Sequence, residues 1–318
     1  MHDATGFDPS HMHPHTGNNA TRTRNHGKDL RQPVNFIAKT VWALSLLLPL
    51  AACAKQEAPA KTMTNEQGCT RIRSIGPQDP YKDPPPLKQA CLGPHLLEIP
   101  QNYFENQIGP EHDGLFALAL EYPSLEPFKP GERMRLSADV SVRTVRVVYD
   151  FIDRLPVEEV MKNSYTPMDY QAGDPEHSLD GRIKGKTENG LTPYFIDIKQ
   201  ARAHYAKEGY QPNARVMELA AHKDWFIGID DAGTVNTVIK CTPKDIIESG
   251  VEYQDGKLVK NDAIGVARCD HVTIMPKLDV IIRMAYPREG LSQWKNIQDR
   301  AQLLITQFDV EAGKEARP

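Results

Sequence analysis

CDHVTIMPKLDVIIRMAYPREGLSQWKNIQDRAQLLITQF, residues 269–308, decides the fold. Two apolar runs, Cys269 to Met275 and Leu278 to Ala285, flank Pro276 and Lys277 and read as two strands joined by a turn. Beyond them Leu291, Trp294, Ile297, Ala301, Leu304, Ile305 and Phe308 recur at helical spacing, so Leu291 to Phe308 is expected to form an amphipathic helix. Ser292 is placed to cap it. Strands followed by a helix that must bury one face imply an α+β class: antiparallel sheet with helices packed on one face, including this C-terminal helix.

The same reading extends upstream. Trp225 to Ile229 and Thr234 to Cys241 flank Asp230-Asp231-Ala232-Gly233, a hairpin turn. Tyr194 to Ile198 is a short strand, and a helix is expected from Gln200 to Glu208. Leu115 to Tyr122 alternates, with Phe116, Leu118, Leu120 and Tyr122 on one face, and Pro123 closes it. Leu136, Ala138, Val140 and Val142 alternate as well; the phase then slips so that Val145, Val147, Tyr149 and Phe151 share a face, which predicts a bulge near Arg143 and Thr144 or a break into two strands. Residues 163–193 are polar and turn-rich, a long loop or a seam, and no repeat of fixed period appears. The body is expected over 95–318, and 53–94, punctuated by GPQDPYKDPPPLKQACLGP, reads as a Pro-rich tether.

The five cysteines bear on compartment. With Cys53 set aside, Cys69, Cys91, Cys241 and Cys269 are an even number, expected to form two disulfides; of the three pairings possible, Cys69 with Cys91 and Cys241 with Cys269 is preferred. No CxxC spacing accompanies them, so neither a metal nor any other cofactor is expected.

Val41 to Ala52 (VWALSLLLPLAA) is an apolar run too short to cross a bilayer, which takes about 20 residues, and Arg31 and Lys39 precede it. A positive flank, a short apolar core and small residues before a cut site make 34–52 a signal peptide. Leu50-Ala51-Ala52-Cys53 resembles the lipobox of bacterial lipoproteins in every position. That resemblance implies cleavage before Cys53, a diacylglyceryl thioether on its sulfur, acyl chains of the palmitate type in the membrane and a body facing the periplasm; Ala54, where a sorting aspartate would stand, implies the outer membrane. Residues 1–33 are polar and histidine-rich (His2, His11, His13, His15, His26) and are read either as untranslated or disordered sequence before a later start, or as a metal-chelating tract.

Five of the 38 basic and three of the 42 acidic residues precede Cys53, so the part from Cys53 on carries a formal charge of about −6. No basic stripe interleaved with aromatics occurs, which argues against nucleic acid as a partner. GxSxG, HExxH, EF-hand and GxGxxG patterns are absent; Gly181 to Thr187 misses a phosphate loop by one residue, and Glu111-His112-Asp113 and Asp230-Asp231 lack a positioned third partner. No catalytic residue is expected. Tyr103, Phe104 and Asn106, within the aromatic and amide-rich stretch from Asn102 to Pro110, and Trp225 are the candidates for contact with a partner, core packing being the alternative for the aromatics.

Cys91-Leu92-Gly93-Pro94-His95-Leu96-Leu97-Glu98-Ile99-Pro100, with the C-terminal strands and tryptophan-bearing helix, is similar to immunity lipoproteins that protect bacteria from type VI secreted lipase effectors. The resemblance implies a non-enzymatic periplasmic lipoprotein that binds a toxic phospholipase. A structural or assembly lipoprotein of the envelope, and an envelope hydrolase, are the alternatives.

Overall fold

The computed structural model describes residues 60–73, 78–110, 112–135, 137–245 and 248–311. The strands in chain order are β1 (Lys61–Thr64), β2 (Thr70–Arg73), β3 (Leu87–Leu92), β4 (His95–Pro100), β5 (Leu115–Glu121), β6 (Glu126–Pro127), β7 (Thr144–Phe151), β8 (Arg182–Lys184), β9 (Leu191–Ile196), β10 (Asp224–Ile229), β11 (Val235–Cys241), β12 (Val251–Gln254), β13 (Lys257–Lys260), β14 (Arg268–Met275) and β15 (Val280–Pro287). The helices are α1 (Ala138–Val142), α2 (Val157–Lys162), α3 (Ile198–Lys207) and α4 (Trp294–Phe308). Nine strands make one antiparallel sheet in the order β6-β5-β7-β15-β14-β11-β10-β9-β8, and three two-stranded hairpins, β1-β2, β3-β4 and β12-β13, accompany it. The class is α+β and mostly sheet.

Strand alternation sends Phe116, Leu118 and Leu120 of β5, Val145, Val147 and Tyr149 of β7, and Val280, Ile282, Met284 and Tyr286 of β15 to one face, all buried. Helix α4 seals that face with Trp294, Ile297, Ala301, Leu304 and Ile305. The Tyr149 hydroxyl donates to the Ala301 carbonyl at 2.8 Å and fixes the helix along the sheet. A six-residue 3-10 turn, Arg288–Gln293, leads into α4, and Ser292 is no cap: its hydroxyl donates to the Glu289 carbonyl at 3.2 Å within that turn. On the opposite face α2 covers only part of the sheet, packing Val157 and Met161 on Ile227, Val238, Ile274 and Ile281. Helix α3 buries Ala201 and Tyr205 against Ile196 and Met217.

Two expectations are corrected. The alternating stretch ending at Val142 is the short helix α1, because the Ser137 hydroxyl accepts from the Val140 amide and starts a helical turn; β7 begins after it, so the phase slip marks a change of element. The tether does not reach Pro94: from Lys61 on, the chain forms β1, β2 and β3. The Cys69–Cys91 disulfide, an Asn65 Nδ2 bond of 2.7 Å to the Gly93 carbonyl, and an ion pair between buried Arg71 and Asp113 hold these polar strands against β4 and the start of β5. Gly93 turns β3 into β4 at φ 58°, and a Cβ there would stand 2.3 Å from the Phe151 ring, so no side chain fits. The second disulfide joins Cys241 to Cys269, register partners on β11 and β14. Within 163–193, β8 and the start of β9 extend the same sheet. The signal sequence, Cys53 and the histidine-rich leader lie outside the described residues.

Beneath α4 sits one buried polar chain. Thr237 Oγ1 donates to Gln298 Oε1 at 2.9 Å, His271 Nε2 lies 3.0 Å from the same oxygen, and the Tyr286 hydroxyl lies 3.2 Å from His271 Nδ1. These partners select the neutral ring with its proton on Nε2. Burial pulls the His271 pKa down to about 3, with the Gln298 bond opposing in part. A depressed histidine binds fewer protons folded than unfolded, so its contribution to stability is complete above about pH 6.5 and is lost as pH falls towards 3. Between those values the chain should lose on the order of a few kcal/mol from this residue. The difference between parent and His271→Gln unfolding curves measured across that range should show it; parallel pH dependences in the two proteins would contradict the assignment.

Candidate protein-binding surface

The part of the outer sheet face that α2 leaves uncovered follows from register. One row crosses eight strands: Lys184 pairs with Tyr194, Tyr194 with Trp225, Trp225 with Lys240, Lys240 with Asp270, Asp270 with Ala285, Ala285 with Arg146 and Arg146 with Ala119. A second row, two residues along, runs Val272, Arg283, Val148, Ala117. Between α2 and the sheet edge at β5 this face presents small apolar side chains among charges, and Asp270, Arg283, Arg146 and Leu115 are exposed there. Arg283 pairs with Asp150 at 2.8 Å and Arg146 with Glu105 at 2.7 Å, each cation more than 40 % exposed; Lys223 pairs with Asp270. Such solvated pairs add little stability and are free to exchange partners.

At the β5 end the loop after β4 rises over the face and makes a cleft of about 340 Å³, with Leu115, Phe116 and Val148 as apolar lining and Glu105, Arg146 and His112 as polar lining. The loop is shaped from within. Asn106 Oδ1 accepts from the amides of Ile108 at 2.9 Å and Gly109 at 3.1 Å, and its Nδ2 donates to the Gly109 carbonyl at 2.9 Å. From below, the buried Arg133 guanidinium donates to the carbonyls of Glu105 at 2.7 Å, Phe104 at 2.5 Å and Asn102 at 3.2 Å. Burial draws its pKa down to about 10, which leaves it charged near neutrality.

Of the four residues expected to meet a partner, only Asn106 lines this cleft. Tyr103 is buried with its ring edge-on to Phe308 at 5.2 Å, and Phe104, 1 % exposed, packs beside Phe116 at 6.0 Å. The two aromatics plug the core beneath the loop whose surface was expected to use them. Trp225 is 2 % exposed, with Lys240 Nζ 3.6 Å and Arg182 Cζ 4.5 Å from its ring. The accessible side chains of this face are instead Ala117, Arg146, Val148, Val272, Arg283 and Ala285. The signal for them lay in strands whose inward positions are uniformly large and apolar while the outward ones mix alanine, valine and arginine.

Among the described residues, carboxylates at the places sequence pointed to are engaged locally. Asp113 is taken up by Arg71, and Asp230 Oδ1 accepts from the amides of Ala232 at 3.0 Å and Thr234 at 2.8 Å, closing the hairpin. Among the described residues no cluster of three or more His, Cys, Asp or Glu could hold a metal, and no helix is long and apolar enough to cross a membrane.

The open face is therefore mixed in charge, with small side chains set between its paired cations and carboxylates. No family model matches the chain, and no curated protein matches it. Two solved structures are similar. Smlt3025, an immunity protein of the Stenotrophomonas maltophilia type IV secretion system, is 25 % identical with a TM-score of 0.60, over 78 % of this chain and 98 % of its own. FrpD, an iron-regulated outer membrane lipoprotein of Neisseria meningitidis, aligns over 78 % of this chain and 99 % of its own at 10 % identity and a TM-score of 0.39. The chain thus shares its fold with Smlt3025, whose secretion system is type IV; the type VI system implied by the sequence resemblance finds no support in that likeness.

Removing the buried guanidinium should loosen the loop over the cleft. Arg133→Met strands three carbonyls and should cost about 2–3 kcal/mol in urea unfolding, with faster amide exchange over 102–109; an unchanged midpoint and unchanged exchange would show that Arg133 does not hold the loop.

Proposed function

We propose that the chain is an envelope immunity protein, anchored through lipid on Cys53, that binds and neutralises a toxic effector delivered by a secretion system. The observation that carries this reading is the likeness to Smlt3025, which spans nearly the whole of that immunity protein at 25 % identity. The two disulfides favour an oxidising compartment, the periplasm, where an incoming effector would be met. An immunity protein needs a rigid surface and no active site; the outer sheet face and cleft provide the surface, with Asn106 and Arg146 at the cleft wall as contacts. A type IV system is favoured over type VI by the same likeness. A lipase remains the effector class that the stretch from Cys91 to Pro100 implies.

The test is co-expression of the full chain with the effector encoded beside it, the effector directed to the periplasm. Growth should be rescued by the parent. Ala117→Arg and Ala285→Arg, which raise long side chains on the open face, should weaken binding by about 100-fold with folding intact. If no neighbouring effector is toxic or bound, or if both variants protect as the parent does, the reading or its surface fails respectively. Cys53→Ser should move the protein from the membrane to the soluble fraction without loss of effector binding; an unmodified thiol at Cys53 in the parent, by mass spectrometry, would remove the anchor.

A further inference from the structure

The two cations on Trp225 differ in how they are satisfied. Arg182 is locked in place: it donates to the carbonyls of Ser178 at 3.0 Å, Lys223 at 2.9 Å and Glu176 at 3.3 Å. Lys240, half-buried and beside Trp225 in the cross-strand register, puts its ammonium 3.6 Å from the ring centroid and makes no hydrogen bond or ion pair with any described residue. The carboxylates around it are engaged or distant. Asp270, its register partner on β14, pairs with Lys223; Asp224 pairs with Arg288 at 3.0 Å and accepts from the Lys244 amide at 2.7 Å; Glu176 attracts Lys240 from beyond ion-pair distance. A ring quadrupole holds a cation in position but accepts none of its three protons as a carboxylate would.

The charge of the whole face agrees. Lys184, Lys223, Lys240, Arg146 and Arg283 stand on or beside it against Glu105, Asp150 and Asp270, on a chain whose formal net charge is −4. Lys223, Arg146 and Arg283 are paired with those three carboxylates, which leaves the positive excess on Lys184 and Lys240, and that excess is complementary to an acidic partner.

We propose that Lys240, held on Trp225, is the receiving group for a carboxylate presented by the protein that docks on the open sheet face. This rests on the binding reading above and adds the chemistry of the partner: an acidic protein surface with at least one Asp or Glu brought against the half-buried Lys240 ammonium. The incoming oxygen accepts from Nζ, and the exposed Lys223–Asp270 pair beside it can open to share the new charge. Burial, with Arg182 and Lys223 close by, pulls the free amine down to about 8, so a bound carboxylate should restore it upwards.

The experiment uses the full chain with lysines reductively ¹³C-methylated, the Lys240 signal assigned from Lys240→Arg, and poly-L-glutamate as the source of carboxylates. The Lys240 signal should titrate near 8 alone and about one unit higher with saturating poly-L-glutamate. It should not move with poly-L-lysine. Lys240→Met should weaken poly-L-glutamate binding about tenfold, whereas Lys277→Met, in the turn between β14 and β15, should not. A Lys240 signal that does not move, equal effects of the two variants, or a response to phosphatidylglycerol vesicles in place of poly-L-glutamate would overturn the proposal. An effector bound as tightly by Lys240→Met as by the parent would overturn it while leaving the immunity reading standing; a shift on poly-L-glutamate with no effector bound by the parent would do the reverse.

Discussion

One face of a nine-stranded antiparallel sheet is sealed by the C-terminal helix, with the β3-β4 and β12-β13 hairpins closing the core beside it, and the rest of the molecule depends on that seal. Helix α4 buries five apolar side chains and Gln298 against β5, β7, β15, β14 and β11, and its seat is fixed by directional bonds as well as by apolar area. Tyr149 reaches its backbone at Ala301, and Gln298 gathers Thr237 and His271 from two strands. A polar chain so deep is tolerated because its hydrogen bonds are made, and it permits one depth and one rotation of the helix.

The sealed face gives the other its rigidity. With its strands clamped from beneath, the outer face presents fixed rows of side chains, and α2 occupies only the part over Ile227, Val238, Ile274 and Ile281. The remainder carries exposed ion pairs among alanines and valines, which suits a surface that exchanges solvent and neighbours for a partner at little penalty. The immunity reading and the role given to Lys240 both draw on this asymmetry of a covered and an open face.

Much of the fold was legible because strand and helix periods differ. The hairpins around Pro276 and Asp230, the inward faces of β5 and β7, and the α4 stripe all appear as alternation or as three-four spacing. Helix α1 was misread since five residues with valines two apart fit a strand until Ser137 is seen capping them. Strands β1 and β2 gave no apolar signal; the Cys69–Cys91 bond and the Asn65, Gln67, Arg71 and Ile72 contacts hold them to the body, information carried by partners distant in sequence. The site was less legible still. Aromatic residues drew attention, yet Tyr103, Phe104 and Trp225 are buried, while the open face is built from alanine, valine and arginine whose arrangement exists only once eight strands are in register.

The most direct test of a binding surface on the uncovered face is methyl NMR of the full chain titrated with the effector it is proposed to neutralise. The methyls of Ala117, Val148, Val272 and Ala285 should shift, and those of Val147 and Ile282 under α4, and of Leu304 on its buried face, should stay. Shifts confined to Val251, Leu258 and Val259 of the β12-β13 hairpin, with the sheet face silent, would contradict the account.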